Sequence, residues 1–279
     1  MASPFTCAQG TSCNRALPEG SGAIQFWATA TSGKVSATKN TSWKRDVVPP
    51  AMSYSVTGAH GNSGWYISAA TVSLTGTDAT SGVDALDIYI AGSLVSNPAM
   101  LTDGTYNIRY SVSDFAGHDV IKTDLIKVDT TPPVITVAVD QAPNAVGWYT
   151  LQPTISLSGS DTGSGVASES FTVDGGAPQS APITLDDGIH AVIFTVADLA
   201  GNTVTETRSY RVDTLAPTLL PAFMPAAPDG HNNWYRSDVE IDLTATDLIS
   251  GVASKKVSVD GGVSQDTPAS ISDGIHPLT

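Results

Sequence analysis

Apolar and polar residues alternate along short runs through most of the chain. Ile24, Phe26 and Ala28 alternate in this way, as do Leu86, Ile88 and Ile90, and Tyr106, Ile108, Tyr110 and Val112. Further on the same pattern covers Ile135, Val137 and Val139, then Ile155 and Leu157, Phe171 and Val173, and Val192, Phe194 and Val196. A two-residue period sends alternate side chains to one face, so each run predicts a half-buried β-strand. Turn residues interrupt the runs about every 8–12 residues, and no window sustains a helical period. The pattern predicts an all-β fold of sandwiches, each made of two antiparallel sheets.

The runs recur in a fixed order. One stretch opens Gly147-Trp148-Tyr149 and passes through Asp161-Thr-Gly-Ser-Gly165-Val166, Asp187-Gly188 and Asp198-Leu-Ala-Gly201-Asn202. It closes Val212-Asp213-Thr-Leu-Ala-Pro217. Its signatures return at Trp65-Tyr66 and Trp234-Tyr235, at Ser81-Gly82-Val83 and Ser250-Gly251-Val252, and at Asp103-Gly104 and Asp273-Gly274. Gly33, Gly117 and Gly201 lie 84 residues apart (117 − 33 and 201 − 117), and a fixed period is the mark of a repeat array. The expected units are residues 1–50 (the late part of a repeat), 51–133 and 134–217 (complete repeats) and 218–279 (the early part of a repeat). Because both end pieces match half a repeat, the sequence is expected to be an internal slice of a longer chain. Any signal or anchor would then lie outside it.

Composition supports this picture and narrows the partners. The 279 residues include 25 Gly and 17 Pro with only 14% charged side chains, which suits short strands and many turns. Thirteen basic residues against 27 acidic give a net charge of −14. That balance disfavours nucleic acid, whose phosphates are neutralised by Lys and Arg. No apolar run approaches the length needed to cross a bilayer, so no membrane insertion is expected. The N-terminus lacks the basic-then-apolar order of a signal peptide. Cys7 and Cys13 are close enough to close a small disulfide loop in an oxidising compartment. A zinc site would need two more strong ligands nearby, and none appears.

Asp103-Gly-Thr-Tyr106-Asn-Ile108 places a tyrosine two residues before a core position, just after a tight turn. That construction resembles the tyrosine corner of immunoglobulin domains. Asp187-Gly-Ile-His190-Ala-Val192 repeats it with histidine in the tyrosine position, so His190 and His276 are expected to be structural.

Taken together, the Gly-Trp-Tyr opening, the Asp-x-x-Ser-Gly-Val loop, the Asp-x-Ala-Gly turn and the Asp-Thr-x-x-Pro exit resemble tandem bacterial immunoglobulin-like repeats of large secreted and cell-surface proteins. The resemblance implies tandem immunoglobulin-like β-sandwich domains in an elongated array, located outside the cell or on its surface. It also implies a role as stalk, adhesin extender or spacer, with calcium at the repeat junctions of some members. The first partial repeat departs from the pattern, with Ala30 where later copies have Asp114 and Asp198, and Lys34 in place of His118 and Asn202.

Immunoglobulin topology brings the B–C and F–G loops to one end of a sandwich, where the preceding linker also arrives. Asp129, Asp161 and Asp198 are therefore expected to converge. Asp46, Asp78 and Asp114 should converge in the same way one repeat earlier, and Asp213 and Asp247 should begin a third set. Calcium takes six to eight oxygens and accepts carboxylates readily. Aspartate also opens turns by bonding its own backbone, so turn chemistry accounts for the same residues. The Trp-Tyr pairs suit either a sugar-stacking platform or the start of strand B, where they would cover the core. No histidine belongs to a triad or metal motif, and scattered carboxylates without a cleft do not make a glycosidase pair. The chain is not expected to be an enzyme.

Three functions follow. The first is a non-catalytic spacer whose partners are neighbouring repeats of the same parent chain. The second is an adhesive or carbohydrate-binding accessory module of a secreted enzyme. The third is a subunit of a filament built by head-to-tail self-association through strand exchange.

Overall fold

The computed structural model describes residues 14–180, 182–272 and 274, and these form strands and turns with no helix among the described residues. Cys7 and Cys13, with the disulfide expected there, lie outside the described residues, as does His276. The chain divides into two compact units. The first runs through Pro132 and takes in two later loops, 161–165 and 198–202. The second comprises 133–160, 166–197 and 203–279.

The first unit begins with a hairpin of β1 (Gly20–Phe26) and β2 (Lys39–Arg45), paired antiparallel from Gly20↔Arg45 to Phe26↔Lys39. A sandwich follows. One sheet holds β3 (Ala51–Thr57), β5 (Ala70–Thr77) and β8 (Ala99–Leu101) in that order. The other is ordered β4-β10-β9-β6-β7, from β4 (Trp65–Tyr66), β6 (Val83–Ile90), β7 (Ser93–Val95), β9 (Gly104–Asp114) and β10 (Asp119–Val128). The alternation read from sequence decides which side chains face inward. Val72, Ile88, Ile108, Tyr110, Val112 and Val128 are all fully buried in one core. Each such side chain contributes about 1.5–3 kcal/mol relative to an exposed one.

The second unit repeats the plan. β11 (Val134–Val139), β13 (Thr154–Ser160) and β15 (Ile183–Thr184) make one sheet. The facing sheet is ordered β12-β17-β16-β14, from β12 (Trp148–Tyr149), β14 (Val166–Val173), β16 (Gly188–Asp198) and β17 (Thr203–Val212). Ile155, Phe171, Val192, Phe194 and Val212 fill this core. Beyond it come β18 (Thr218–Met224), β19 (Val239–Thr246) and β22 (Ala269–Ile271), with the short pair β20 (Lys256–Val257) and β21 (Gln265–Asp266). Ile241, Leu243, Val257 and Ala269 form a smaller cluster there.

The Trp-Tyr pairs differ from one expectation. They do not begin strand B. Trp65-Tyr66 is a separate two-residue strand in the opposite sheet, paired parallel with the end of β10 (Lys127↔Trp65, Val128↔Tyr66). Trp148-Tyr149 pairs in the same way with Arg211 and Val212. The bond from Ile67 N–H to Ala59 O, 2.9 Å, turns the chain back before β5 starts. Tyr66 is buried in the core, whereas Trp234 is about half exposed.

Two further features hold the sandwiches in shape. The corner at Tyr106 forms as expected, its hydroxyl donating to Thr102 O at 3.1 Å and Asp103 O at 3.3 Å. His190 makes the equivalent bond through Nε2 to Asp186 O, 3.0 Å. Gly76 and Gly159 occupy corresponding places in β5 and β13. A Cβ at Gly76 would lie 2.7 Å from Val112 Cγ1, and one at Gly159 would lie 2.6 Å from Val196 Cγ1. Glycine here lets the facing sheet approach, a use of missing side-chain volume inside a strand.

Candidate functional site

The aspartates singled out by the repeat sit at strand ends and in the loops beside them. Asp129 follows β10 and is fully buried, and its N–H donates to Tyr66 O at 2.8 Å. Its two carboxylate oxygens reach different segments. Oδ1 accepts from Thr131 N–H at 3.2 Å, and Oδ2 from Ser164 N–H at 2.6 Å, 35 residues further on. Asp161 opens the β13–β14 loop, and its Oδ1 accepts from Gly163 N–H and Gly165 N–H at 3.0 and 2.7 Å. Asp198 ends β16 and is buried. Its Oδ1 accepts from Gly201 and Asn202 N–H, and its Oδ2 from Asn202 Nδ2 at 2.8 Å. Asn202 Nδ2 also donates to Asp129 O at 3.0 Å, so one amide joins two of the three acids.

The same construction appears twice more. Asp46 accepts from Val48 N–H and, through its other oxygen, from Ser81 N–H, both at 3.0 Å. Asp78 Oδ1 takes Thr80, Ser81 and Gly82 N–H. Asp114 Oδ1 takes Ala116 and His118 N–H. Asp213 accepts from Leu215 N–H and Ser250 N–H, and Asp247 from Ile249, Ser250 and Gly251 N–H. Three times, then, an acid after a last strand is bonded to the main chain of a loop 35–37 residues further on. Such charge-assisted bonds to backbone N–H are among the stronger ones in proteins.

The structure brings the expected acids together in two trios and a pair. Asp46, Asp78 and Asp114 each place an oxygen within 4.8 Å of the others, as do Asp129, Asp161 and Asp198. Asp213 and Asp247 share the Ser250 N–H, and no third acid completes a trio with them among the described residues. Calcium–oxygen distances of about 2.3–2.6 Å make 4.8 Å the span across a single ion, so both trios fit calcium in donor type and spacing. Three carboxylates would supply part of its six to eight oxygens, leaving the rest to backbone carbonyls and water.

The two trios differ in one partner. His118 stands where the second has Asn202, and its Nδ1 lies 2.7 Å from Asp114 Oδ2. The bond to Asp114 raises the His118 pKa above its ordinary value against the opposing effect of burial, with the Asp46 and Asp78 charges adding to the rise. Burial would push the Asp114 carboxyl up, but the His118 N–H and ring hold it below the ordinary range. Asp46 is held low chiefly by Ser81 and then by Val48 N–H, and Asp247 by Ile249 N–H. The first trio thus carries a titratable partner at His118, where the second has the amide of Asn202.

Sequence reading did not find a second bracket. Asp103 takes Thr130 N–H at 2.8 Å and Thr131 Oγ1 at 2.7 Å, and Asp187 takes Thr214 N–H and Oγ1 at 2.9 and 3.1 Å. Each binds the residues just past a last strand. The signal was present in the recurrence of Asp-Gly at the starts of β9 and β16 together with a threonine after Asp129 and after Asp213.

These strands, corners and brackets define the class: an all-β chain of tandem immunoglobulin-like β-sandwiches. No family model matches the chain, and no curated protein does. Among solved structures it is similar to the fibronectin(III)-like modules of Clostridium thermocellum CbhA, at 16% identity and a TM-score of 0.30, covering 59% of this chain and 97% of that one. It is also similar to a tetra-tandem repeat in the extending region of a large adhesion protein, at 19% identity and a TM-score of 0.34, covering 94% of this chain and 71% of that one. No described helix is long and apolar enough to cross a membrane.

Proposed function

We propose that this chain is a non-catalytic structural segment of a larger bacterial extracellular or cell-surface protein, spacing or presenting other domains. The observation that carries the proposal is the threefold bracket from Asp46, Asp129 and Asp213 to the main chain of Ser81, Ser164 and Ser250. The repeated polar residues hold backbone to backbone, and their acceptor capacity goes to turns and strand ends. Prolines at 49–50, 132–133 and 217 stiffen the segments after those strands, because proline fixes φ. The test is to stretch single molecules between their termini. A spacer of this kind gives separate unfolding events, each releasing roughly 250–300 Å for a repeat of 84 residues, the interval from Gly117 to Gly201. Smooth extension without separate events overturns the proposal.

Calcium is a second reading, favoured by the 4.8 Å grouping of oxygens. Asp129, Asp161 and Asp198 would hold it in preference to the first trio, because two of the three are buried, against one of Asp46, Asp78 and Asp114, and charges attract an ion more strongly away from water. A bound ion would offset the repulsion among the acids. With a dissociation constant typical of extracellular modules, about 0.1–1 mM, calcium at about 10 mM stabilises the folded form by roughly 1.4–2.7 kcal/mol. Melting temperature followed through a calcium titration should rise in the parent chain and stay flat in Asp161→Asn. A flat response in the parent chain removes calcium from the account.

A further inference from the structure

The outer face of the sheet β4-β10-β9-β6-β7 carries side chains that the second repeat does not share. Tyr89, Arg109 and Thr123 lie side by side across β6, β9 and β10, and Asn107 pairs with Leu125 next to them. Their chain neighbours Ile88, Ile108, Tyr110 and Ile126 are buried in the core, and alternation places these five on the opposite face. The matching positions of the second repeat, 83 or 84 residues on (172 − 89 and 193 − 109), hold Thr172, Ile193, Thr207, Ala191 and Ser209. The second sandwich forms without the tyrosine, the arginine or the amide, so the strands themselves do not require them.

Arg109 is the centre of this group. Its guanidinium carbon lies 4.1 Å from the centroid of the Tyr89 ring, and the Tyr89 hydroxyl donates to Asp87 Oδ2 at 3.3 Å. Stacking on an aromatic face fixes the plane of the guanidinium and leaves its N–H edges pointing outward. Arg109 forms no ion pair among the described residues. Beside it opens a hollow of about 580 Å³, bounded by Asn107, Thr123, Leu125 and the turn at Gly92. Ordinary ligand sites span about 300–1,000 Å³. Gly92 leaves the rim clear, since a Cβ there would meet nothing within 4 Å. Asp124 also borders the hollow, but it alternates with Thr123 and Leu125 and turns to the inner side of the sheet. There the Tyr110 hydroxyl is pushed up to about 12, by burial first and by the Asp124 charge next.

We propose that this hollow binds a carboxylate-bearing sugar, with the carboxylate on the N–H edges of Arg109. Paired N–H···O bonds from guanidinium to carboxylate are both strong and directional. A carboxylate alone would fill little of the space. A sugar ring adds hydroxyls for the Asn107 amide and the Thr123 hydroxyl, and a C–H face for Leu125, which is half exposed. Tyr89 is a positioning residue that holds the guanidinium flat. At a net charge of −14 the chain offers an anion no long-range attraction, so affinity rests on these few contacts and falls in the millimolar range.

Titration of the whole chain with sodium glucuronate, followed through its amide NMR signals, tests this. The signals of Asn107, Arg109 and Thr123 should move and saturate. Glucose, a similar ring without the acid, should leave them in place, and acetate, the acid without the ring, should bind at least about tenfold more weakly. Arg109→Ile, which copies the residue at 193, should abolish the shifts while the signals of the core stay where they were. Tyr89→Thr, which copies the residue at 172, should weaken binding about two- to fivefold, the worth of an exposed cation–π contact. Glucuronate that moves none of these signals overturns the proposal. So does glucose or acetate binding as well as glucuronate, or binding that survives Arg109→Ile.

Discussion

His190 shows how much one side chain is asked to do. Its Nε2 donates to Asp186 O, and its Nδ1 lies 2.8 Å from Asp174 Oδ2, so both ring nitrogens face acceptors. Only the doubly protonated ring satisfies both. Burial pulls the His190 pKa down, but Asp174 and the Asp186 carbonyl outweigh it and the pKa is raised. Backbone N–H of Ala191, followed by His190, holds Asp174 low. The sign follows from linkage. A raised histidine contributes stability that is complete below its unfolded value near 6.5 and is lost as pH rises through the folded value. His190→Gln should therefore lower the melting temperature at pH 5.5 more than at pH 8.5. Equal losses at both would mean that the imidazolium contributes nothing. The structural role of His190 was legible because it stands where Tyr106 stands. Its partner Asp174 was not, since the Val-Asp-Gly-Gly turn that carries it (Val173 O with Gly176 N–H) recurs at 259–262 but nothing in either copy says that its acid meets the ring 16 residues on.

At the scale of the element, strands were readable because one face is buried and alternation records it, as in Tyr106, Ile108, Tyr110 and Val112. The two-residue strands at Trp65 and Trp148 were not, because two residues cannot show a period and parallel pairing leaves no local mark. The glycines at 76 and 159 were equally silent in sequence. Glycine within a strand pattern signals close approach without naming what approaches. The structure names Val112 and Val196. Gly159→Ala should destabilise the second sandwich by about 1–3 kcal/mol, the usual effect of overpacking a core. Val196→Ala in the same chain should recover part of that loss by making room. If Gly159→Ala melts like the parent, the sheets do not meet as tightly there as 2.6 Å implies. Chemical denaturation with both variants and the double variant would measure the coupling.

Across the whole molecule, the grouping of acids was foreseeable from topology, because immunoglobulin connections carry the B–C and F–G loops to one end. What the acids bond was not foreseeable. Thr131, Ser164, Ser250 and Gly251 contribute N–H groups, and every residue except proline has one. The same reasoning explains why Asp103 and Asp187 escaped notice, since their partners are again the residues just past a strand. The exchange of Asn202 for His118 carries chemistry that no spacing discloses, namely a titratable ring in one trio and an amide in the other. The calcium prediction belongs to Asp129, Asp161 and Asp198, two of which are buried, whereas the mechanical prediction applies to every bracket alike.

The reach of Asp129 Oδ2 to Ser164 N–H has one further outcome. The carboxylate comes so close to the loop that a Cβ at Gly163 would lie 2.5 Å from both of its oxygens. The grip therefore selects for missing bulk at 163: any larger residue there would press its first carbon into the acid and push the loop off its anchor.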